Sequence, residues 1–132
     1  MVNFRQIASG LALVAGASVP VLAGSRDTPE VAYQKAIEGK TPGKPVDCID
    51  TRSRQPQLSA YGDKLIYTVD RKLVYVNQTT GGCGGVARGD ALVSQRYQTR
   101  VCRGDIAQTV DFPARIPTGS CALGDFTPYT AK

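Results

Sequence analysis

Four cysteines constrain this chain more than any other feature: Cys48, Cys83, Cys102 and Cys121, separated by 35, 19 and 19 residues. The chain contains no histidine and no C-x-x-C motif. A structural zinc site uses closely spaced Cys or His pairs, and a thioredoxin-like redox site uses C-x-x-C, so we expect neither a metal nor a redox centre. An even number of cysteines in an exported chain instead predicts two disulfides.

Residues 1–23 have the three-part pattern of a secretory signal peptide. Arg5 is the single charge, an apolar run of small residues follows, and Val21 and Ala23 precede the expected cleavage site. Cleavage after Ala23 leaves 132 − 23 = 109 residues and lowers the formal charge from +5 to +4, in the periplasm or outside the cell. The alternative is an uncleaved anchor, because residues 6–25 are uncharged and approach the roughly 20 residues that span a bilayer.

Residues 24–45 are predicted to form an N-terminal helical arm and a linker. Thr28 as N-cap, a proline in the first turn and Gly39 as terminator delimit a short helix. The stretch 40–45, KTPGKP, contains two prolines and a glycine, which disfavour both helix and strand. We therefore expect a loosely attached arm, followed by one disulfide-stabilised β domain at 46–132.

From position 46 onward the hydrophobic pattern has a period of two, which indicates strands with one buried face. Short strands separated by turn residues, with almost no helix between them, predict a mainly β fold, either a small antiparallel barrel or a sandwich. The predicted strands are 64–69 and 73–77, which form a hairpin, then 92–101 and 106–110, with edge strands at 48–52 and 120–126.

Four cysteines allow three pairings, and the sequence alone does not choose among them. We expect Cys83 to pair with Cys102, because these two bracket one glycine-rich loop and one strand. We expect Cys48 to pair with Cys121, because the first and last strands of an up-and-down sheet can meet.

The glycine-rich stretch GGCGGVARGD at 81–90 surrounds Cys83 and ends on Arg-Gly-Asp. Residues 82–87 match the G-x-G-x-x-A form of a dinucleotide-binding turn, but no β-α-β unit follows, so we expect a loop and no cofactor. Arg-Gly-Asp recurs at 103–105. Because glycine accepts positive φ and aspartate bonds nearby amides, both triplets are predicted to be turns and no integrin partner is expected.

The lack of histidine excludes the Ser-His-Asp and Cys-His arrangements, because their general base is missing. Two acids can still catalyse hydrolysis. Asp47 and Asp50 form a close pair around Cys48, and a pocket that gathers Asp47, Asp50 or Asp105 would indicate a small histidine-free hydrolase. Otherwise we expect a non-catalytic binding or structural module.

Arg96 and Arg100 project from the same face of the strand 92–101, and Arg103 follows its end. These arginines are candidates for a basic stripe that binds an anionic envelope component, since a basic patch attracts acidic surfaces. The alternative is a solvated face that keeps the protein soluble. A charge of +4 is too modest for a dedicated nucleic-acid binder, so no nucleic acid is expected.

Two motifs, C-R-G-D-I at 102–106 and C-x-L-G-x-F at 121–126, follow an aromatic hairpin and the pair Gly82-Cys83. The chain has these motifs in this order and so resembles a family of small exported bacterial proteins classed as a domain of unknown function. The resemblance covers about residues 46–129. The resemblance implies a bacterial envelope setting and makes the second Arg-Gly-Asp part of a structural motif around Cys102, but it supplies no catalytic residues. Such proteins carry a signal or lipoprotein leader, and this chain lacks the lipoprotein cysteine.

Overall fold

The computed structural model describes residues 15–17, 27–94 and 99–132. They form a mainly β structure with a short α-helix and antiparallel sheets, which confirms the predicted fold class and favours the sandwich over the closed barrel. The elements are α1 (Pro29–Ile37), β1 (Lys40–Pro42), β2 (Cys48–Asp50), β3 (Gln57–Tyr61), β4 (Lys64–Thr68), β5 (Leu73–Gln78), β6 (Thr80–Gly81), a 3₁₀ helix (Gly84–Arg88), β7 (Ala91–Ser94), β8 (Arg100–Cys102), β9 (Ile106–Asp111), β10 (Ile116–Ala122) and β11 (Phe126–Ala131).

Within those residues the strands form a five-stranded sheet in the order β1-β11-β5-β4-β3, a four-stranded sheet in the order β6-β10-β9-β7, and a β2–β8 pair. All three contribute to one main core, which is the arrangement of a sandwich. Phe126 is completely buried in it, and full burial of such a side chain stabilises the fold by about 1.5–3 kcal/mol. The core residues include Leu65, Tyr67 and Phe126 from the first sheet, Ala107 and Cys121 from the second, and Ile49 and Val101 from the β2–β8 pair.

The five-stranded sheet is covered on both faces. Three consecutive residues of β4 are buried, Leu65, Ile66 and Tyr67, although neighbouring side chains in a strand point to opposite faces. Leu65 and Tyr67 belong to the main core, whereas Ile66 belongs to a second cluster with Val74 and Val76. The second cluster therefore lies on the opposite face of the sheet, where helix α1 covers it.

Helix α1 begins as predicted, with the Thr28 hydroxyl accepting a hydrogen bond from the Val31 amide at 3.4 Å. The Tyr33 ring stacks on that of Tyr61 in β3, with the ring centroids 5.6 Å apart. Burial and the neighbouring Tyr129 raise the pKa of Tyr33. The helix residues that pack on the second cluster are Tyr33, Ala36 and Ile37.

The stretch 40–45, predicted as a linker, begins with a strand. In β1, Lys40 lies opposite Ala131 and Pro42 lies opposite Tyr129 of β11. The strand is at the edge of the sheet, where proline is tolerated because no ladder bond is lost. The linker prediction failed here because proline and glycine content does not reveal a sheet edge that is open to another strand.

The hairpin and the strand 106–110 are confirmed as β4–β5 and β9, and the strand predicted at 48–52 is confirmed for its first three residues as β2. The continuous strand predicted at 92–101 is wrong. Its start is β7, which pairs with β9 in the four-stranded sheet, and its end is β8, which pairs with β2. Residues 95–98 between them lie outside the described residues.

The predicted edge strand at 120–126 is also wrong. Its first three residues end β10, between β6 and β9, and its last begins β11, between β1 and β5. Alternating hydrophobicity describes one strand at a time, so it does not show where the chain passes from one sheet to the next.

The disulfides join Cys48 to Cys102 and Cys83 to Cys121, so the predicted pairing of Cys83 with Cys102 and Cys48 with Cys121 is wrong. Because the chain changes partners between β7 and β8, Cys102 comes to lie opposite Cys48 of β2. Cys121 lies opposite Gly81, two residues before Cys83. The bonds span 54 and 38 residues, and the chain-entropy model gives each about 4 kcal/mol of stabilisation.

The glycine-rich stretch is a loop, as predicted, and its 3₁₀ helix leads into the antiparallel strand β7. A Cβ at Gly119 of β10 would overlap the carbonyl oxygen of Gly82. The two backbones can approach this closely only without that side chain, and the approach delivers Cys83 to Cys121.

Both Arg-Gly-Asp triplets are turns, and their glycines, Gly89 and Gly104, have φ angles of 98° and 87°. The Asp105 carboxylate accepts a hydrogen bond from the Cys102 amide at 2.8 Å, which confirms its predicted turn role. Asp90 instead accepts from the Thr118 hydroxyl at 2.7 Å and therefore ties its turn to β10.

We expect tryptic peptide mapping without reduction to find Cys48 linked to Cys102 and Cys83 linked to Cys121. Lysine or arginine separates every successive pair of cysteines, so trypsin places the four on different peptides. The linked pairs are therefore peptides 41–52 with 101–103, and 73–88 with 116–132. Linkage of 73–88 to 101–103 would contradict the fold, and the reduced sample, in which all four peptides run free, is the control.

Candidate ligand-binding groove

A groove of about 250 Å³ lies between the loop that follows β2 and the turn of the β4–β5 hairpin. Its floor is apolar, and its rim carries a serine and two charged side chains. The lining residues are Ile49, Val69, Leu73 and Tyr75 on the floor, and Asp50, Ser53 and Arg54 on the rim.

In each loop that borders the groove, the aspartate at the start of the loop accepts hydrogen bonds from residues that follow it. Asp50 accepts hydrogen bonds from the amides of Arg52 and Ser53, at 2.8 and 3.2 Å, and from the Ser53 hydroxyl at 2.6 Å. Asp70 accepts from the amides of the second and third residues after it, at 2.7 and 2.9 Å. These are the local bonds by which aspartate forms turns, so both carboxylates shape the groove's borders.

The Asp50 carboxylate is held in its charged form. The hydrogen bond from the Ser53 hydroxyl, those from the amides of Arg52 and Ser53, and the charge of Arg100 lower the pKa of this carboxyl below its usual value, and they outweigh a smaller effect of desolvation. Hydrogen bonds to an ionised carboxylate favour ionisation. Asp50 therefore gives the groove a negative charge at neutral pH, and its carboxylate accepts its hydrogen bonds from the loop after β2.

Five cations lie in the two loops that border the groove and in the strand opposite Asp50. Arg52 and Arg54 lie in the loop after β2, Arg71 and Lys72 in the hairpin turn, and Arg100 opposite Asp50 in β8. We call these five the basic rim. All five are exposed, and within residues 27–94 and 99–132 none of them takes part in an ion pair. Asp50 and Asp70 are the acids in the same two loops, so cations predominate.

Two arginines of the predicted stripe, Arg100 and Arg103, lie among the described residues, and the stripe itself stays a prediction. Arg100 belongs to the basic rim. Arg103 follows the other end of β8, where its guanidinium donates to the Asp125 carboxylate at 3.1 Å. Arg96 lies outside the described residues. The structure therefore places Arg100 opposite Asp50, which lines the groove, and Arg103 beyond the other end of β8.

The candidate catalytic aspartates lie in different settings. Asp47 is exposed, and its backbone carbonyl accepts from the Arg103 amide at 2.7 Å. Asp50 lines the groove, whereas Asp105 lines a separate depression beside Ile106. In the part of the chain that the structure describes, no three His, Cys, Asp or Glu side chains are grouped to hold a metal ion.

Sequence reasoning missed most of the groove. A signal was present, because Arg52-Ser-Arg54 and Arg71-Lys72 are dense clusters of cations in turn segments. Nothing in the sequence places these clusters beside each other. That placement needs the β2–β8 pair and the hairpin to pack on one core.

Neither a scan against models of known protein families nor searches of curated proteins and of solved structures found a match to this chain. The groove and its basic rim are therefore the features from which we infer a function.

Replacing Asp50 with asparagine tests its role in shaping the loop. Because its folded pKa lies below the unfolded value of about 3.9, the charged form stabilises the fold above that pH, and this stabilisation is lost as the pH falls through the folded pKa. We expect Asp50→Asn to melt at a lower temperature than wild type at about pH 6, with the difference shrinking below about pH 4.

Thermal unfolding followed by circular dichroism over this pH range measures the difference. Asp47→Asn is the matched control, because Asp47 is an exposed aspartate on the other side of Cys48. A gap between Asp50→Asn and wild type that stays constant with pH would contradict the role of the charge.

Proposed function

We propose that this protein is an exported, non-catalytic binding module of the bacterial envelope that holds an anionic partner at the basic rim. The observation that carries the proposal is the basic rim itself: five exposed cations, without ion pairs among the described residues, lie in the two loops that border an apolar-floored groove or opposite Asp50, and one of them, Arg54, lines the groove. Cations that form no ion pair among the described residues are available to an external acid.

The two disulfides support export, in addition to the predicted signal peptide. Two disulfides are typical of proteins in oxidising compartments. No helix in the described part of the chain has the length and apolar character needed to cross a membrane. The predicted signal peptide, residues 1–23, lies outside the described residues except for 15–17. A periplasmic or secreted location, and the bacterial setting that the motif resemblance implies, are parts of this proposal.

The exposure of the basic-rim cations favours an anionic surface as the partner over a single rigid ligand. Exposed cations on loops attract acidic surfaces without reading a sequence, and salt screens the attraction over about 10 Å at 0.1 M. Each Lys or Arg close to an anionic bilayer contributes about 1 kcal/mol. The basic rim therefore suits a dense anionic surface such as acidic lipid headgroups.

A histidine-free hydrolase is the alternative, and the contact between Asp50 and the Ser53 hydroxyl, 2.6 Å, is the observation that would serve it. That geometry resembles a nucleophile beside a base. A carboxylate with a lowered pKa is a weak base, however, and Asp50 already accepts two backbone amides. The contact is better explained as a turn, which favours the binding module.

We expect an Arg54→Glu/Arg100→Glu double variant to bind phosphatidylglycerol vesicles about 30-fold or more weakly than wild type at low salt, because about 1 kcal/mol is lost at each position. Vesicle co-sedimentation measures this, and raising the salt should weaken wild-type binding towards that of the variant.

The matched control is Lys44→Glu/Arg115→Glu, which changes the net charge equally at exposed positions that do not line the groove. It should bind close to wild type. Equal losses in both double variants would show that net charge alone drives binding, and undiminished binding of the first variant would contradict the proposal.

A second expectation concerns location. Intact-mass measurement on protein recovered from the envelope fraction should find a chain that begins at Gly24, because Val21 and Ala23 precede the cleavage site. A dominant species that retains residues 1–23 in the membrane pellet would contradict export in cleaved form.

A further inference from the structure

We propose that the groove binds the alkyl chain of a single-chain anionic amphiphile, whose carboxylate or phosphate is held by the basic rim. This inference rests on the proposed function and deepens it, since it names the chemical class of ligand that the anion-binding end accepts. It requires three properties of the groove: an apolar floor open to the outside, a volume suited to one chain, and a cation beside the mouth.

The floor is an uncovered part of the main core. Alternation places Val69 on the same face of the sheet as Tyr67, and Leu73 on the same face as Tyr75. Tyr67 is buried in the main core, but near the hairpin turn this face is only half-buried. No described residue of the four-stranded sheet lines the groove, and the loop after β2 borders it instead.

The volume limits what enters. At about 250 Å³ the groove is smaller than the roughly 300–1,000 Å³ of pockets that hold whole drug-sized ligands. It therefore accepts one flexible chain or a single ring, with the rest of the ligand outside. Each methylene that leaves water for an apolar floor strengthens binding by about four-fold, so affinity should rise with chain length.

The head group would meet Arg54, which lines the groove and is exposed. A guanidinium binds carboxylate or phosphate through two parallel hydrogen bonds. Asp50 also lines the groove and opposes an anion, but both of its oxygens are engaged by Arg52 and Ser53. The cations of the basic rim outnumber Asp50 and Asp70 in the same loops, so an anionic head is preferred over a neutral one.

The chain contains no tryptophan, so the fluorescence of a single introduced tryptophan reports only on the surroundings of that residue. Leu73→Trp puts the reporter on the floor of the groove. Phe112→Trp is the matched control, because Phe112 is an apolar side chain, 63% exposed, in the turn between β9 and β10 and outside the groove. Both variants are accepted only if mass spectrometry finds two intact disulfides and circular dichroism matches wild type.

Each variant is titrated with decanoate, hexanoate, decanol and acetate. In Leu73→Trp we expect decanoate to shift the fluorescence to the blue, to bind about ten-fold or more tightly than hexanoate because of its longer chain, and to bind more tightly than decanol because of its charge. Acetate should have no effect. Adding Arg54→Glu should weaken decanoate about ten-fold and leave decanol unchanged.

Phosphatidylglycerol vesicles distinguish the source of the chain. Each phosphatidylglycerol molecule carries two chains, so a blue shift with decanoate and not with vesicles is the result expected for a single-chain ligand, whereas a shift with vesicles and not with decanoate would overturn the proposal. An equal response in Phe112→Trp, or equal affinity for decanol and decanoate, overturns the proposal.

If Leu73→Trp fails the folding criteria, amide chemical-shift mapping of the wild-type protein replaces it. Decanoate should then perturb the amides of 49–54 and 69–75 more than those of 106–116. No perturbation at 49–54 and 69–75 would overturn the groove. The two proposals can fail separately. If vesicle binding depends on Arg54 and Arg100 but decanoate has no effect, the alkyl-chain proposal is overturned and the proposed function stands.

Discussion

The bond between Cys48 and Cys102 is the constraint on which the rest of the molecule depends. It joins β2 to β8, two strands of three residues that, among the described residues, pair only with each other. Three residue pairs are too few to hold such strands in water without further support. Held together, they contribute Ile49 and Val101 to the main core. The same bond positions the loop after β2, and with it one border of the groove.

The second disulfide acts at the other side of the main core. Cys83 and Cys121 are both almost completely buried and belong to the main core cluster themselves. The bond attaches the glycine-rich loop to β10, and that loop leads through the 3₁₀ helix into β7. Two of the glycines around Cys83, which first suggest a ligand-binding loop, have a structural explanation: a Cβ at Gly81 would lie 2.7 Å from the Ser120 carbonyl oxygen, and one at Gly85 would overlap the Asp90 carboxylate.

The groove is a consequence of how this small sandwich ends. No described residue of the four-stranded sheet lines the groove, and the apolar side chains near the hairpin turn of the five-stranded sheet are half-buried there. The segments around that gap carry aspartates that stabilise turns and arginines that form no ion pair among the described residues. The turn-forming aspartates and the basic rim thereby lie at the same end of the sandwich. The loops that shape the groove are therefore also the loops that carry its cations.

The sequence by itself determined the mainly β class, the capped helix at Thr28, the β4–β5 hairpin, the turn at Asp105 and the presence of two disulfides, because each depends on residues close together in the chain or on a simple count. It identified Arg100 but not the arginines beside it. Tertiary structure alone decided which cysteines meet, that Lys40–Pro42 joins a sheet, and that the loop at Arg54 and the hairpin end at Val69 and Leu73 line one groove. These outcomes depend on where the chain passes between sheets at 94–100 and 122–126, and hydrophobic periodicity carries no information about such a crossing.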